Sequence, residues 1–183
     1  MSNFLNCGAG AALLALTLVA CKDGGSAVNP RASQKPGGDP MFTMGTGSAS
    51  TLLGRATFTD PDNQTFDVKR ITDGWQMQIK AKPAFDIAVQ RIKFNAGGQS
   101  GWHRHPGPVF IQVVYGQMTF YQADDPTCSP IVRSAGQGYL DLGERPHIAV
   151  NATQDSAINI VTYFAPPGAV LKIDADAPGN CPF

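Results

Sequence analysis

From Thr51 to the C-terminus no window of the chain carries a helical period, and that constrains the fold more than any other feature. Trp75, Met77, Ile79 and Ala81 alternate with Gln76, Gln78, Lys80 and Lys82, a period of two that puts one face of a strand in water. Phe85, Ile87 and Val89 alternate with Asp86, Ala88 and Gln90; Ile92 and Phe94 then change parity, which predicts a bulge near Arg91. Val109 to Tyr115 is apolar on both faces, the pattern of a strand covered on both sides. Tyr115-Gly116-Gln117 predicts a tight turn into a strand over 118–122, and further short strands are expected over 131–132, 138–142, 147–151 and 157–164. Asp60-Pro61-Asp62, Asp73-Gly74 and Asp124-Asp125-Pro126 are turn signals between them. Many short strands at this spacing predict an all-β sandwich or barrel. Composition agrees: Gly and Pro are frequent, and Glu144 is the only glutamate among 14 acids, so good helix formers are scarce.

The charge balance narrows the function. Lys plus Arg equals Asp plus Glu at 14 each, giving a formal net charge of zero. No basic face is available for nucleic acid, and no basic run for an acidic membrane surface. No phosphate loop, nucleophile elbow or pair of catalytic carboxylates stands in the sequence.

The N-terminal stretch has a different character. Ala9 to Ala20 is an apolar run too short to span a bilayer and suited to the core of a signal peptide. It ends Leu18-Val19-Ala20-Cys21, which resembles a bacterial lipobox. That resemblance implies removal of residues 1–20 and lipidation of Cys21, hence an exported lipoprotein of the periplasm or cell envelope that meets a membrane only through its anchor. The competing reading is a plain secretory signal. Residues 21–48 are rich in Gly, Ser, Pro, Ala and Thr and read as a flexible tether, leaving 49–183 as one domain. Cys7 would leave with the signal, so Cys128 and Cys181 are an even pair in an oxidising compartment. A Cys128–Cys181 disulfide is expected, worth about 4 kcal/mol in the chain-entropy model; two free buried thiols are the alternative.

The chain has three histidines, His103, His105 and His147. Residues two apart on a strand share a face, so His103 and His105 can reach one ion, and His147 from a neighbouring strand can complete a facial triad. Three imidazoles with open positions suit one divalent Fe, Zn, Cu, Ni or Mn ion. Ordinary hydrogen-bonded histidines are the competing reading.

The surrounding frame weighs on that choice. Gly97, five residues, His103-Arg104-His105 and Gly116 resemble the first cupin motif, while Gly136, His147 and Asn151 match the spacing of the second. Gly101-Trp102-His103, His105-Pro106-Gly107-Pro108 and the tail Pro178 to Phe183 resemble one small bacterial cupin group. The resemblance covers Thr51 to Phe183. It implies a double-stranded β-helix, a jelly-roll barrel with a metal site inside, and the three histidines at ligand positions. Two departures stand out: the motif's Glu ligand falls at Val109, and its Pro and Gly fall at Leu142 and Glu144. The expected site is therefore three histidines without a carboxylate, as in cupin oxygenases of thiols and diketones. The resemblance implies oxygen-dependent oxidation of a small organic substrate, and an ion left with its full charge would favour an anionic or chelating one. A non-catalytic ligand-binding barrel and a purely structural metal are the alternatives. Cupins often dimerise, so a homodimer is an open expectation. Glu144 is a weak catalytic candidate against the reading of a solvated turn residue paired with Arg145. Gln112 and Tyr139 are candidates to face the cavity. Trp102 and Arg104 should point away from the ion. Asn151 serves either a ligand histidine or a turn.

Overall fold

The computed structural model describes residues 44–59, 65–69, 76–80 and 84–183. The expected signal segment, Cys21, Trp75, Ala81 and Lys82 lie outside the described residues. Among those described there is no helix. The strands are β1 (Thr46–Phe58), β2 (Thr65–Lys69), β3 (Gln76–Lys80), β4 (Phe85–Gln99), β5 (His103–Arg104), β6 (Val109–Tyr115), β7 (Gln117–Gln122), β8 (Ile131–Ser134), β9 (Gly138–Asp141), β10 (His147–Val150), β11 (Ala157–Ala165) and β12 (Ile173–Asp174). β2 and β3 pair with each other; the other ten form one antiparallel sheet ordered β12-β5-β10-β4-β11-β6-β9, with β1 beside β4 and β7 joining β10 to β8. The sheet curls into a nearly closed barrel, a double-stranded β-helix.

The period of two sets what lies inside. On β11, Ala157, Asn159, Val161, Tyr163 and Ala165 are buried and alternate with half-buried neighbours. Register stacks these residues in rows across the barrel. Tyr163 and Asp141 both pair with Val109, Val161 and Tyr139 both pair with Ile111, and Asn159 pairs with Val113. The middle row is apolar, with the Tyr139 ring stacked on Phe120 at 4.3 Å between centroids. Met118, Phe120, Val109 and Val113 are fully buried, each such side chain stabilising the fold by roughly 1.5–3 kcal/mol.

Four expectations need correction. β1 begins at Thr46, inside the stretch read as tether. β4 runs unbroken through Arg91, which pairs with Ile160 without a shift; the extra residue is Leu53 of β1, opposite the Val89–Gln90 step. The inward residues of β4 are Asp86, Ala88 and Phe94, not Phe85, Ile87 and Val89. Phe85 instead stacks on the outside between Phe58 and Phe164, at 5.3 and 6.3 Å, because this outer face has its own apolar cover. β6, expected to be covered on both sides, leaves Gln112, Val114 and Tyr115 exposed. Other expectations hold. Gly116 makes the β6–β7 turn at φ 74°, a conformation L side chains rarely adopt.

A second apolar cluster lies outside the barrel wall. Trp102 and Ile148 are fully buried with Cys181 beneath the C-terminal tail, and Phe183 stacks on Trp102. The expected Cys128–Cys181 disulfide is present, Cα to Cα 5.4 Å, and ties this tail to the β7–β8 loop.

Candidate metal centre

Alternation on entering β5 separates Trp102 from His103. Trp102 packs against the tail, whereas His103 turns into the barrel and Arg104 is exposed. His147 opens β10 directly opposite His103 and is flanked on its other side by Gln122 of β7. His105 follows β5, its N–H bonded to the Gly143 carbonyl at 2.9 Å. That contact depends on glycine: Gly143 has φ 101°, and a Cβ there would collide with the Gly107 carbonyl.

The three rings converge. Ring centroids lie 4.4 Å (His103–His147), 4.8 Å (His103–His105) and 5.1 Å (His105–His147) apart. One nitrogen from each lies within 4.8 Å of the other two, and all three residues are buried. Two of the rings have an assignable tautomer. His103 Nδ1 is 2.8 Å from the Gly101 carbonyl and His105 Nδ1 is 2.6 Å from the Leu171 carbonyl. A carbonyl only accepts, so both Nδ1 atoms donate and each Nε2 keeps a lone pair. His147 has neither ring nitrogen hydrogen-bonded, although both are buried. Such atoms lose their hydration without a return unless something binds them.

Electrostatics keep the rings neutral. Burial, then repulsion from His105, pulls the His103 imidazole from its ordinary 6.5 to about 3. Burial lowers His105, and burial and its two histidine neighbours hold His147 well below the usual range. Neutral imidazole is the form that ligates a metal. The donor set therefore fits a divalent ion.

The three histidines are the group brought together, as expected, and a buried carboxylate lies beside them. Asp141, at the end of β9, is buried, with Oδ2 3.4 Å from His147 Nδ1 and 3.8 Å from His105 Nε2. Oδ2 has no hydrogen-bond partner, while Oδ1 accepts from the Gly143 N–H at 3.2 Å. Burial pushes its carboxyl above the usual carboxylate range. A signal for Asp141 existed: it has the parity of Tyr139, two residues earlier, which was already a candidate to face inward.

The other candidates separate cleanly. Tyr139 is buried and its hydroxyl accepts from Gln122 Nε2 at 3.1 Å, whereas Gln112 is exposed. Glu144 is exposed in the β9–β10 turn, and Arg145 pairs with Asp124 at 2.5 Å. Neither joins the histidine group. Asn151 is a turn-builder: its amide donates to the carbonyls of Asn95 (2.9 Å) and Asp155 (2.7 Å), and its oxygen accepts from Thr153. Tyr163 meets His105 edge to face at 5.4 Å and donates to Gln90.

No protein-family model matches the chain, and no curated protein matches it. Several solved structures are similar to part of the chain. A double-stranded β-helix protein from Klebsiella pneumoniae subsp. pneumoniae is 20% identical over 49% of this chain and 75% of its own, with a TM-score of 0.42. A cupin domain from Bordetella pertussis Tohama I is 15% identical over 64% of this chain and 93% of its own, TM-score 0.42. The Lactobacillus farciminis oxalate decarboxylase formate complex is 18% identical over 48% of this chain and 26% of its own, TM-score 0.42.

Proposed function

We propose that residues 46–183 form a metal-dependent enzyme acting on a small oxygenated or anionic organic molecule, with oxygen-dependent oxidation as the leading chemistry. One observation carries the reading: three buried, neutral imidazoles each bring a ligand atom within 4.8 Å of the other two, and two of the rings are locked by backbone carbonyls. His103, His105 and His147 would hold one divalent Fe, Zn, Cu, Ni or Mn ion. Bound there, it would supply Lewis acidity and a template for substrate.

The chain's own groups set the rest. The Tyr163–Val109–Asp141 row borders the site and the apolar Val161–Ile111–Tyr139 row lies beneath it, so water is excluded from one side. Lys172 lies next to Leu171, the partner of His105, and its positive charge bears on both His103 and His105. Its ammonium is ion-paired with Asp174, whose negative charge opposes it at His103. The Cys128–Cys181 disulfide supports export to an oxidising compartment. With it we propose the Cys21-anchored lipoprotein, a periplasmic or cell-envelope location, and residues 21 to about 45 as tether.

The test is oxygen uptake by the chain reconstituted with Fe(II), against small thiols, diketones and hydroxy or keto acids. Metal-dependent uptake that is lost in His103→Ala is the expected result. A ligand that stabilises the protein and is recovered unchanged would move the function to binding. Nearly complete burial of all three rings favours, as a second reading, an ion that serves the fold. On that reading chelation lowers the melting temperature and no substrate turns over.

A further inference from the structure

Val109 occupies the position where the resembled motif has its carboxylate ligand. In the sheet, Val109 of β6 is the register partner of Asp141 of β9. The neighbouring strand therefore delivers a carboxylate to the same row of the barrel. Gly143 N–H holds Oδ1 of Asp141, leaving Oδ2 directed at the imidazoles with no hydrogen-bond partner.

The His105 tautomer makes this arrangement informative. Its Nδ1–H is committed to the Leu171 carbonyl, so Nε2 and Asp141 Oδ2 are two acceptors 3.8 Å apart in the protein interior. Two lone pairs facing each other out of water repel unless a proton or a metal cation lies between them. With metal–ligand bonds of about 2.0–2.2 Å, that separation fits two ligands of one ion. His147 Nδ1, also without a hydrogen bond, lies 3.4 Å from the same oxygen.

We propose that Asp141 Oδ2 is a fourth protein ligand, completing a three-histidine, one-aspartate set for the divalent ion. This rests on the metal-centre reading and deepens it. The carboxylate leaves one positive charge on the centre instead of two. It adds a hard oxygen donor, which moves preference toward Fe, Mn and Zn and away from soft Cu(I). A six-coordinate ion would keep two positions for substrate.

Co(II) is the probe, titrated into the metal-free full-length chain and followed by visible absorption and chelator competition. The wild type should take one Co(II) per chain, and His103→Ala none. Asp141→Asn keeps the side-chain shape; it should weaken Co(II) binding by about tenfold or more and alter the visible band. Adding Val109→Glu to Asp141→Ala should recover most of that affinity, because a carboxylate returns from the register-paired position. Wild-type affinity and spectrum in folded Asp141→Asn would overturn the proposal while leaving the three-histidine centre standing. Weaker binding with an unchanged spectrum would overturn it too, making Asp141 an orienting partner of His147. A folded wild type that binds no Co(II) would remove the metal centre itself.

Discussion

Two aspartates are buried in this barrel to nearly the same depth, and their surroundings are opposite. Asp86 is 1% exposed and Asp141 5%. Asp86 has its partners built in: Oδ1 accepts from Thr57 at 2.6 Å, and Oδ2 from Arg55 Nε at 2.5 Å and the Gly168 N–H at 2.9 Å. The Thr57 hydroxyl first, then the Gly168 N–H and Arg55, hold its carboxyl below the ordinary 3.8. Asp141 has only the backbone N–H groups of Gly143 and Leu142 and, among the described residues, no Lys or Arg beside it, and burial raises it. A buried carboxylate with its own guanidinium fastens the fold; one facing neutral imidazoles lacks a positive charge that a bound ion would supply.

The largest expected effect is on metal-linked stability. A divalent ion at a thousandfold excess over its dissociation constant stabilises the folded chain by about 4 kcal/mol, read as a higher melting temperature. His147→Ala should abolish that gain and Asp86→Asn should preserve it. If Asp86→Asn removed it as well, the two aspartates would not be functionally distinct.

Next is Asp86→Asn itself. Loss of its charge-assisted bonds should lower the melting temperature by about 5–10 °C with or without metal, leaving metal stoichiometry at one. An unchanged melting temperature would show that Asp86 does not fasten β1 to β4.

The pH dependence of the metal-free chain separates the groups by window. The folded state refuses protons that the unfolded histidines accept below 6.5, so stability falls as pH drops from 6.5 toward about 3. The slope is about 1.4 kcal/mol per pH unit for each fully displaced imidazole. Asp86, lowered from 3.8, contributes stability above that value which is lost as pH falls further. Chemical denaturation from pH 7.5 to 4.5 checks the histidine part, and a flat profile would contradict the burial argument.

The smallest effect has the opposite sign. Asp141→Asn removes a buried charge without a counter-charge and should raise the melting temperature of the metal-free chain by about 2–3 °C, while the same change at Asp86 lowers it. A fall at both positions would make them the same kind of structural aspartate.

How much of this was legible depended on the length of each signal. β6, β7 and β11 are long enough to stand out as strands between turn signals, and the sequence places them within a residue or so. The histidines were legible because there are only three and a two-residue spacing on a strand fixes their common face. β5 and β12 hold two residues each, too few for any period. β4 was assigned the wrong inward parity because apolar Phe85 and Ile87 outweigh Asp86 on a hydropathy pattern, while the partners that bring Asp86 inside lie 29 and more residues away. Asp141 was missed for a similar reason. A motif locates a carboxylate by distance along one strand, whereas here it arrives from the adjacent strand, and only register brings it beside Val109.

The most direct test of the central claim is metal content by mass spectrometry, on the purified chain and on a His103→Ala, His147→Ala double variant. About one divalent metal per wild-type chain, and none in a folded double variant, is the result expected of four donors converging inside the barrel. A folded wild type that holds no stoichiometric metal after reconstitution at neutral pH would contradict the account. The three imidazoles would then be a buried cluster without an ion, and Asp141 a carboxylate without a counter-charge.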